Sequence, residues 1–156
     1  MGNSKSRIFV TLFNLGKKYN RSIKYVGYYP FKILYYFYSQ YILGCDIRLT
    51  TQIGKGFEIF HGARGSVISP TTIIGDNVSL RQNTTIGAKG FQGAEKSPII
   101  GNNVTIGPNV CIIGDIHIGD NSTIGAGAVV VKNVRSGTVV VGNPAREVQP
   151  KSSDNN

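Results

Sequence analysis

The sequence predicts a mainly β protein coiled as a parallel β-helix, with a short helical segment covering its first turn. Three observations carry this. Large aliphatic side chains recur every sixth residue, at Ile47, Ile53, Ile59, Ile68, Ile74, Leu80 and Ile86, and again at Ile100, Ile106, Ile112, Ile118, Ile124 and Val130. Glycine often follows the aliphatic, at 54, 75, 87, 101, 107, 119 and 125, and Asn or Asp commonly comes next. A small or β-branched side chain sits four residues after most of them: Thr51, Ala63, Thr72, Val78, Thr84, Val104, Val110, Ile116, Ser122, Ala128 and Val134. A period of six fits neither the 3.6 of a helix nor the alternation of a plain strand. It fits a short strand and a tight turn, repeated, with the turns supplied by residues that tolerate positive φ. Units of this kind bury their apolar side chains only by stacking. A helical alternative fails because Gly and β-branched residues at this density are poor helix formers.

Residues 1–44 carry no such repeat. "SIKYVGYYPFKILYYFYSQYIL" reads as one or two helices with a break near Gly27 and Pro30, because the residue before a proline is disfavoured in helical geometry. This segment holds all eight tyrosines and seven basic side chains (Lys5, Arg7, Lys17, Lys18, Arg21, Lys24, Lys32) and no acidic one; the rest of the chain holds ten basic and eight acidic. The net charge of +9 is therefore a property of the N-terminal segment. Two roles fit it: a cap that buries its aromatics on the first coil, or a basic, tyrosine-rich helix resting on an anionic membrane surface. No RNA- or DNA-reading motif accompanies the charge, so nucleic acid is not the expected partner. Residues 45–149 form the repeat domain, and residues 150–156, "PKSSDNN", read as a disordered tail.

Composition narrows the setting. Cys45 and Cys111 have no metal-ligand spacing and no apolar leader precedes them, so a reduced, cytoplasmic chain without a metal is expected. The longest charge-free apolar run near the start, "ILYYFYSQYILGC" from 33 to 45, falls short of the about 20 residues that a bilayer span needs.

Two insertions interrupt the hexads, "FHGARGS" between Ile59 and Ile68 and "GAKGFQGAEKSP" (87–98) before Ile100. His61 stands in the first. It is one of two histidines; the other, His117, occupies the sixth place of a regular hexad and reads as a surface or interface residue. Asp46 lies fifteen residues before His61. A neutral imidazole can take the proton of an attacking hydroxyl, and a carboxylate on its other nitrogen would fix the tautomer. The plain reading is a loop histidine without a task.

"IIGNNVTIGPNV" and "IHIGDNSTIGAGAVV" resemble the hexapeptide repeats of the left-handed β-helix acyltransferases, and "VVGNPAR" is similar to the ending of that family. Within it, "CDIRL" and "IFHGARG" resemble the Asp and His motifs of serine acetyltransferases and related sugar O-acetyltransferases. The resemblance implies left-handed coiling, a homotrimer with sites between neighbouring prisms, and acetyl-CoA as donor. It implies His61 as base, Asp46 as its orienter and the Ala88 amide as the donor to the thioester oxyanion. It puts the pantetheine arm of coenzyme A along Pro108 and Ala126, with Lys132 and Arg146 as partners for the phosphates or as solvated charges.

The resemblance departs at the acceptor. The Asp that precedes the family's catalytic His is Phe60 here, and the Arg-His that ends its second loop is Lys96-Ser97. A zwitterionic amino acid would lose matched charges there. The expected acceptor is accordingly a sugar hydroxyl of a surface polysaccharide or its precursor, met by Lys96, Ser97, Arg81 and Gln82. Serine acetylation for cysteine synthesis is the alternative, and a non-catalytic scaffold the third reading. Arg81 and Gln82 also read as solvated coil corners.

Overall fold

The computed structural model describes residues 4–20, 28–90 and 96–148. The tail expected over 150–156 and the helix break expected at Gly27 lie outside them. From Asp46 onward, strands of two or three residues wind into three sheets that form the sides of a triangular prism. The first side stacks β1 (Asp46–Ile47), β4 (Val67–Ile68), β7 (Thr85–Gly87), β10 (Cys111–Ile113) and β13 (Val129–Val130). The second stacks β2 (Gln52–Ile53), β5 (Ile73–Ile74), β8 (Ile99–Ile100) and β11 (His117–Ile118). The third stacks β3 (Glu58–Ile59), β6 (Ser79–Leu80), β9 (Thr105–Ile106), β12 (Thr123–Ile124) and β14 (Val139–Val141).

Registers keep the aliphatics in line, coil upon coil. Ile47 pairs with Ile68, Ile68 with Ile86, Ile86 with Ile112 and Ile112 with Val130. Each is almost fully buried, worth about 1.5–3 kcal/mol relative to exposure. The small residues four places on complete the core: Val78, Val104, Val110 and Ala128 are buried, as are Thr51, Thr72, Thr84 and Ser122. Ile116 is only partly so.

The glycines and asparagines of the repeat divide the work differently from the sequence reading. The left-handed φ falls on the third place after the aliphatic, filled by glycine at Gly56 and Gly127 and by asparagine at Asn77, Asn83, Asn103, Asn109 and Asn121, between 55° and 62°. Their side chains run up the corners as ladders, Asn77 Nδ2 donating to Asn103 Oδ1 (3.2 Å) and Asn103 Nδ2 to Asn121 Oδ1 (3.1 Å). The glycine directly after the aliphatic, as at Gly75 and Gly101, has ordinary φ and is needed for close approach. A Cβ on Gly75 would lie 2.6 Å from the carbonyl oxygen of Gly101, and one on Gly101 would lie 2.9 Å from that of Ile118.

Of the repeat domain expected over 45–149, the coil itself runs as far as β14, which stacks parallel on β12; the chain then reverses, and β15 (Arg146–Val148) pairs antiparallel with β14.

Two helices, α1 (Ser4–Asn20) and α2 (Tyr28–Phe37), pack on each other over the opposite end. Pro30 lies in the first turn of α2, where its missing N–H is no loss; the proline starts this helix instead of breaking it. A π-helical turn, Tyr38–Ile42, leads from α2 into the first coil. Phe9, Phe13 and Tyr35 bury together there, and the Tyr35 hydroxyl donates to the Ile47 carbonyl (2.7 Å).

Burial, with the Asp46 carboxylate adding to it, pushes the Cys45 thiol up from its ordinary 9.0 to about 12. Burial likewise raises Tyr35, with Cys45, Tyr36 and Asp46 contributing in turn. A group whose pKa is higher in the folded chain stabilises the fold fully below its unfolded pKa and loses that stabilisation as pH rises through the folded value. Melting temperature is therefore expected to fall between about pH 9 and 12, and less steeply for Cys45→Ala. Equal slopes for the two proteins would show that this thiol does not titrate in the window.

Candidate functional site

The coil first breaks at Ile59. Phe60 still donates its N–H to the Leu80 carbonyl (2.9 Å), and then His61, Gly62 and Ala63 all adopt positive φ, at 60°, 84° and 55°. Left-handed geometry at His and Ala costs energy that glycine would avoid. It swings the His61 side chain out to solvent while Gly62 and Ala63 stay buried. The loop is tied back onto the start of the domain: Gly65 N–H donates to Gly44 O (2.8 Å) and Asp46 N–H to Ser66 O (2.9 Å). Gly62 faces the Leu43 side chain, and α1 packs on the His61–Ala63 turn. Asp46 and His61 are thus held at the same end of the prism. Among the described residues no hydrogen bond joins the carboxylate to the imidazole, so the expected dyad is not closed in the single chain.

Above this loop, along the edge between the third and first sides, stand Arg81, Gln82, Pro108 and Ala126. Asn83 N–H donates to Arg64 O (2.7 Å), Asn109 N–H to Gln82 O (3.1 Å) and Gly127 N–H to Pro108 O (2.9 Å), which places these corners one above another. The Arg81 guanidinium lies 5.5 Å from the centre of the Phe60 ring, a cation–π stack that the sequence did not suggest. Gln82 Oε1 is buried with no hydrogen-bond partner among the described residues, an acceptor that a ligand donor would satisfy.

Ala88, Lys96 and Ser97 occupy the other edge of the first side. Ala88 follows β7, and its N–H donates to no acceptor among the described residues. Residues 91–95 of the expected loop lie outside them. Where the chain returns, Lys96 pairs with Asp115 (3.6 Å), both exposed. Ser97 is buried: its Oγ lies 2.9 Å from Ser69 Oγ and 2.7 Å from Thr71 Oγ1, and those two are 3.0 Å apart. Ser97 is therefore closed into a triangle of hydroxyls and does not face outward as a substrate contact would. The signal was present in "SPT" at 69–71, where a regular hexad has Gly-Asp-Asn.

Lys132 and Arg146, 14 residues apart in sequence, line one cavity of about 230 Å³ with an apolar floor of Val130, Val134 and Val140. Glu147 also borders it but is taken up by Arg135. A larger cavity, about 610 Å³, lies between α1 and the first coil, beside Phe13, Phe57 and Asp76. His117 is exposed on the second side, as its hexad place implies. Among the described residues no cluster of His, Cys, Asp or Glu is able to hold a metal ion.

The bacterial transferase hexapeptide family (six repeats) matches residues 97–132. The serine acetyltransferase of Synechococcus elongatus is 39% identical over 110 residues, 70% of this chain and 45% of that enzyme. That of Helicobacter pylori is 36% identical over 110 residues, 70% of this chain and 64% of the relative. Among solved structures, the soybean serine acetyltransferase apoenzyme matches with a TM-score of 0.80 and 32% identity, over 94% of this chain and 58% of that one. Neisseria gonorrhoeae serine acetyltransferase matches with 0.79 and 31%, over 96% and 55%. The fold is the left-handed β-helix of these proteins, and the chain spans less than two thirds of the length of each.

Proposed function

Because this chain resembles the serine acetyltransferases throughout its hexapeptide β-helix, we propose that it is an acetyl-CoA-dependent O-acetyltransferase acting on the hydroxyl of serine. The observation that carries the proposal is His61, held outward at the left-handed break of the coil and tied to the strand that bears Asp46. His61 takes the hydroxyl proton as the oxygen attacks the thioester carbonyl. The Ala88 N–H, unpaired among the described residues, receives the oxyanion that develops. Collapse breaks the carbon–sulfur bond, and the imidazolium returns its proton to the departing thiolate, giving the acetyl ester and coenzyme A. Asp46, held at the same end of the prism, orients the imidazole once the two side chains meet. Lys132 and Arg146 meet the phosphates of the donor, whose pantetheine arm runs past Pro108 and Ala126.

His61 and Ala88 stand on opposite edges of the first side. A thioester contacts both only if the edge of one chain meets the other edge of a second, which supports a homotrimer with shared sites.

The relatives favour serine over the sugar acceptor read from the sequence. A second reading, a hydroxyl acceptor without paired charges, is favoured by the residues that differ. Phe60 is covered by Arg81, and Ser97 is spent on Ser69 and Thr71. Incubation of the full chain with acetyl-CoA and either L-serine or a panel of hexoses and amino sugars, followed by mass spectrometry, separates the two. O-acetylserine as the dominant product is the expected result; acetylated sugar without O-acetylserine would establish the second reading, and no acetylated product would leave the scaffold.

A further inference from the structure

The second helix carries a stripe of large apolar side chains that are more than half exposed. Tyr29, Ile33, Phe37 and Tyr41 follow one another at intervals of four, and their exposures are 71, 70, 54 and 76%. Leu34 at 59% and Ile42 at 47% widen it, and Phe37 stacks on Tyr41 at 5.2 Å between ring centres. The opposite face is the one that packs: Tyr35, Ser39 and Leu43 are buried against the cap and the first coil. The stripe is therefore in excess of what the fold needs, and contiguous apolar surface of this kind marks an interaction site.

Charge decides among the occupants. The segment from 1 to 44 has seven basic side chains and no acidic one. Of these, Lys32 borders the stripe, and two copies meeting through it would find no acidic side chain in either segment to neutralise it. An anionic lipid surface offers the reverse, apolar depth under a negative plane. The order of side chains suits it, with tyrosines at both ends of the stripe and Ile33 and Phe37 between them, since tyrosine rings favour the headgroup level. Lys32, at the border of the stripe with its Nζ 6.0 Å from the Tyr36 ring centre, is positioned to keep its charge at that level. Among the described residues no helix is long and apolar enough to cross a membrane, so the segment lies on the surface and does not span it.

We infer that the exposed face of α2 and the turn after it docks the protein on anionic lipid. The inference is independent of the acceptor and of catalysis. Its test is co-sedimentation of the full chain with vesicles of phosphatidylcholine alone and of phosphatidylcholine with about one third phosphatidylglycerol. Binding is expected to the second only, weakened about tenfold on raising salt to about 0.5 M. The double variant Ile33→Asp, Phe37→Asp is expected to lose about tenfold or more in partitioning, with an unchanged melting temperature because both residues are exposed. Equal partitioning on the two vesicles, or none by the wild type, would overturn the inference. So would a smaller assembly of the double variant in lipid-free light scattering, which would mark the face as a contact between copies.

Discussion

Replacing His61 by alanine is expected to slow acetyl transfer by about a hundredfold to ten-thousandfold, the range of a positioned general base. The loss should appear in kcat, with the KM for acetyl-CoA little changed, because the imidazole acts on the acceptor proton and not on the nucleotide. Folding should survive: the side chain is exposed, and the turn already accommodates alanine in left-handed geometry two residues on, at Ala63. Thiol release from acetyl-CoA, followed by absorbance, measures the effect, and circular dichroism controls for the fold. A folded variant that retains wild-type kcat would remove His61 from the chemistry. Asp46→Asn should cost less than His61→Ala: it leaves the base in place but no longer fixes its tautomer.

The second large effect concerns the coil itself. Gly75→Ala is expected to destabilise the fold by about 2–3 kcal/mol, as overpacking does when the obstacle is backbone. The new methyl would stand 2.6 Å from the Gly101 carbonyl oxygen, and moving that carbonyl away would lengthen the Gly75 N–H bond to Ile100 O, now 2.9 Å. Gly87 provides the comparison. It occupies the same place in its hexad, but its nearest neighbour to a new Cβ is the Ser69 side chain at 3.9 Å, because the long second insertion begins with it. Gly87→Ala is expected to be neutral or stabilising by up to about 1 kcal/mol, from the reduced freedom of the unfolded chain. Equilibrium urea unfolding of the two variants checks this; equal losses would show that close approach is not what selects glycine at Gly75.

That pair also shows where the sequence was legible. The spacing of Ile100, Ile106, Ile112 and Ile118 specifies period, inward face and stacking together, since only one register keeps every aliphatic inside. Glycine and asparagine were read as one class of turn residue, and composition has no means of separating them. The difference is made by the next coil, 18 to 26 residues away in register, whose backbone is absent from any local window. The insertion bearing His61 was visible as a broken period. Its left-handed run was not, because positive φ at histidine and alanine has no local sequence signal. Ser97 failed for a related reason: its partners Ser69 and Thr71 lie 28 and 26 residues before it, and a spacing along the chain does not reveal that three hydroxyls close on one another. Lys132 and Arg146 were proposed from charge and likeness, and they line one cavity because β15 turns back beside β14.

The reversal of β15 has a consequence for the molecule as a material. A stack of parallel coils ends in unpaired N–H and C=O groups, and such an edge is a template on which another chain can add. Here an antiparallel strand takes up that edge on the third side, and Arg146, Glu147 and Val148 are all exposed at its rim. The helices sit over the other end of the prism. Propagation by one prism growing on the next is thereby blocked at β14, so a chain truncated before Arg146 would be the one to polymerise into fibres.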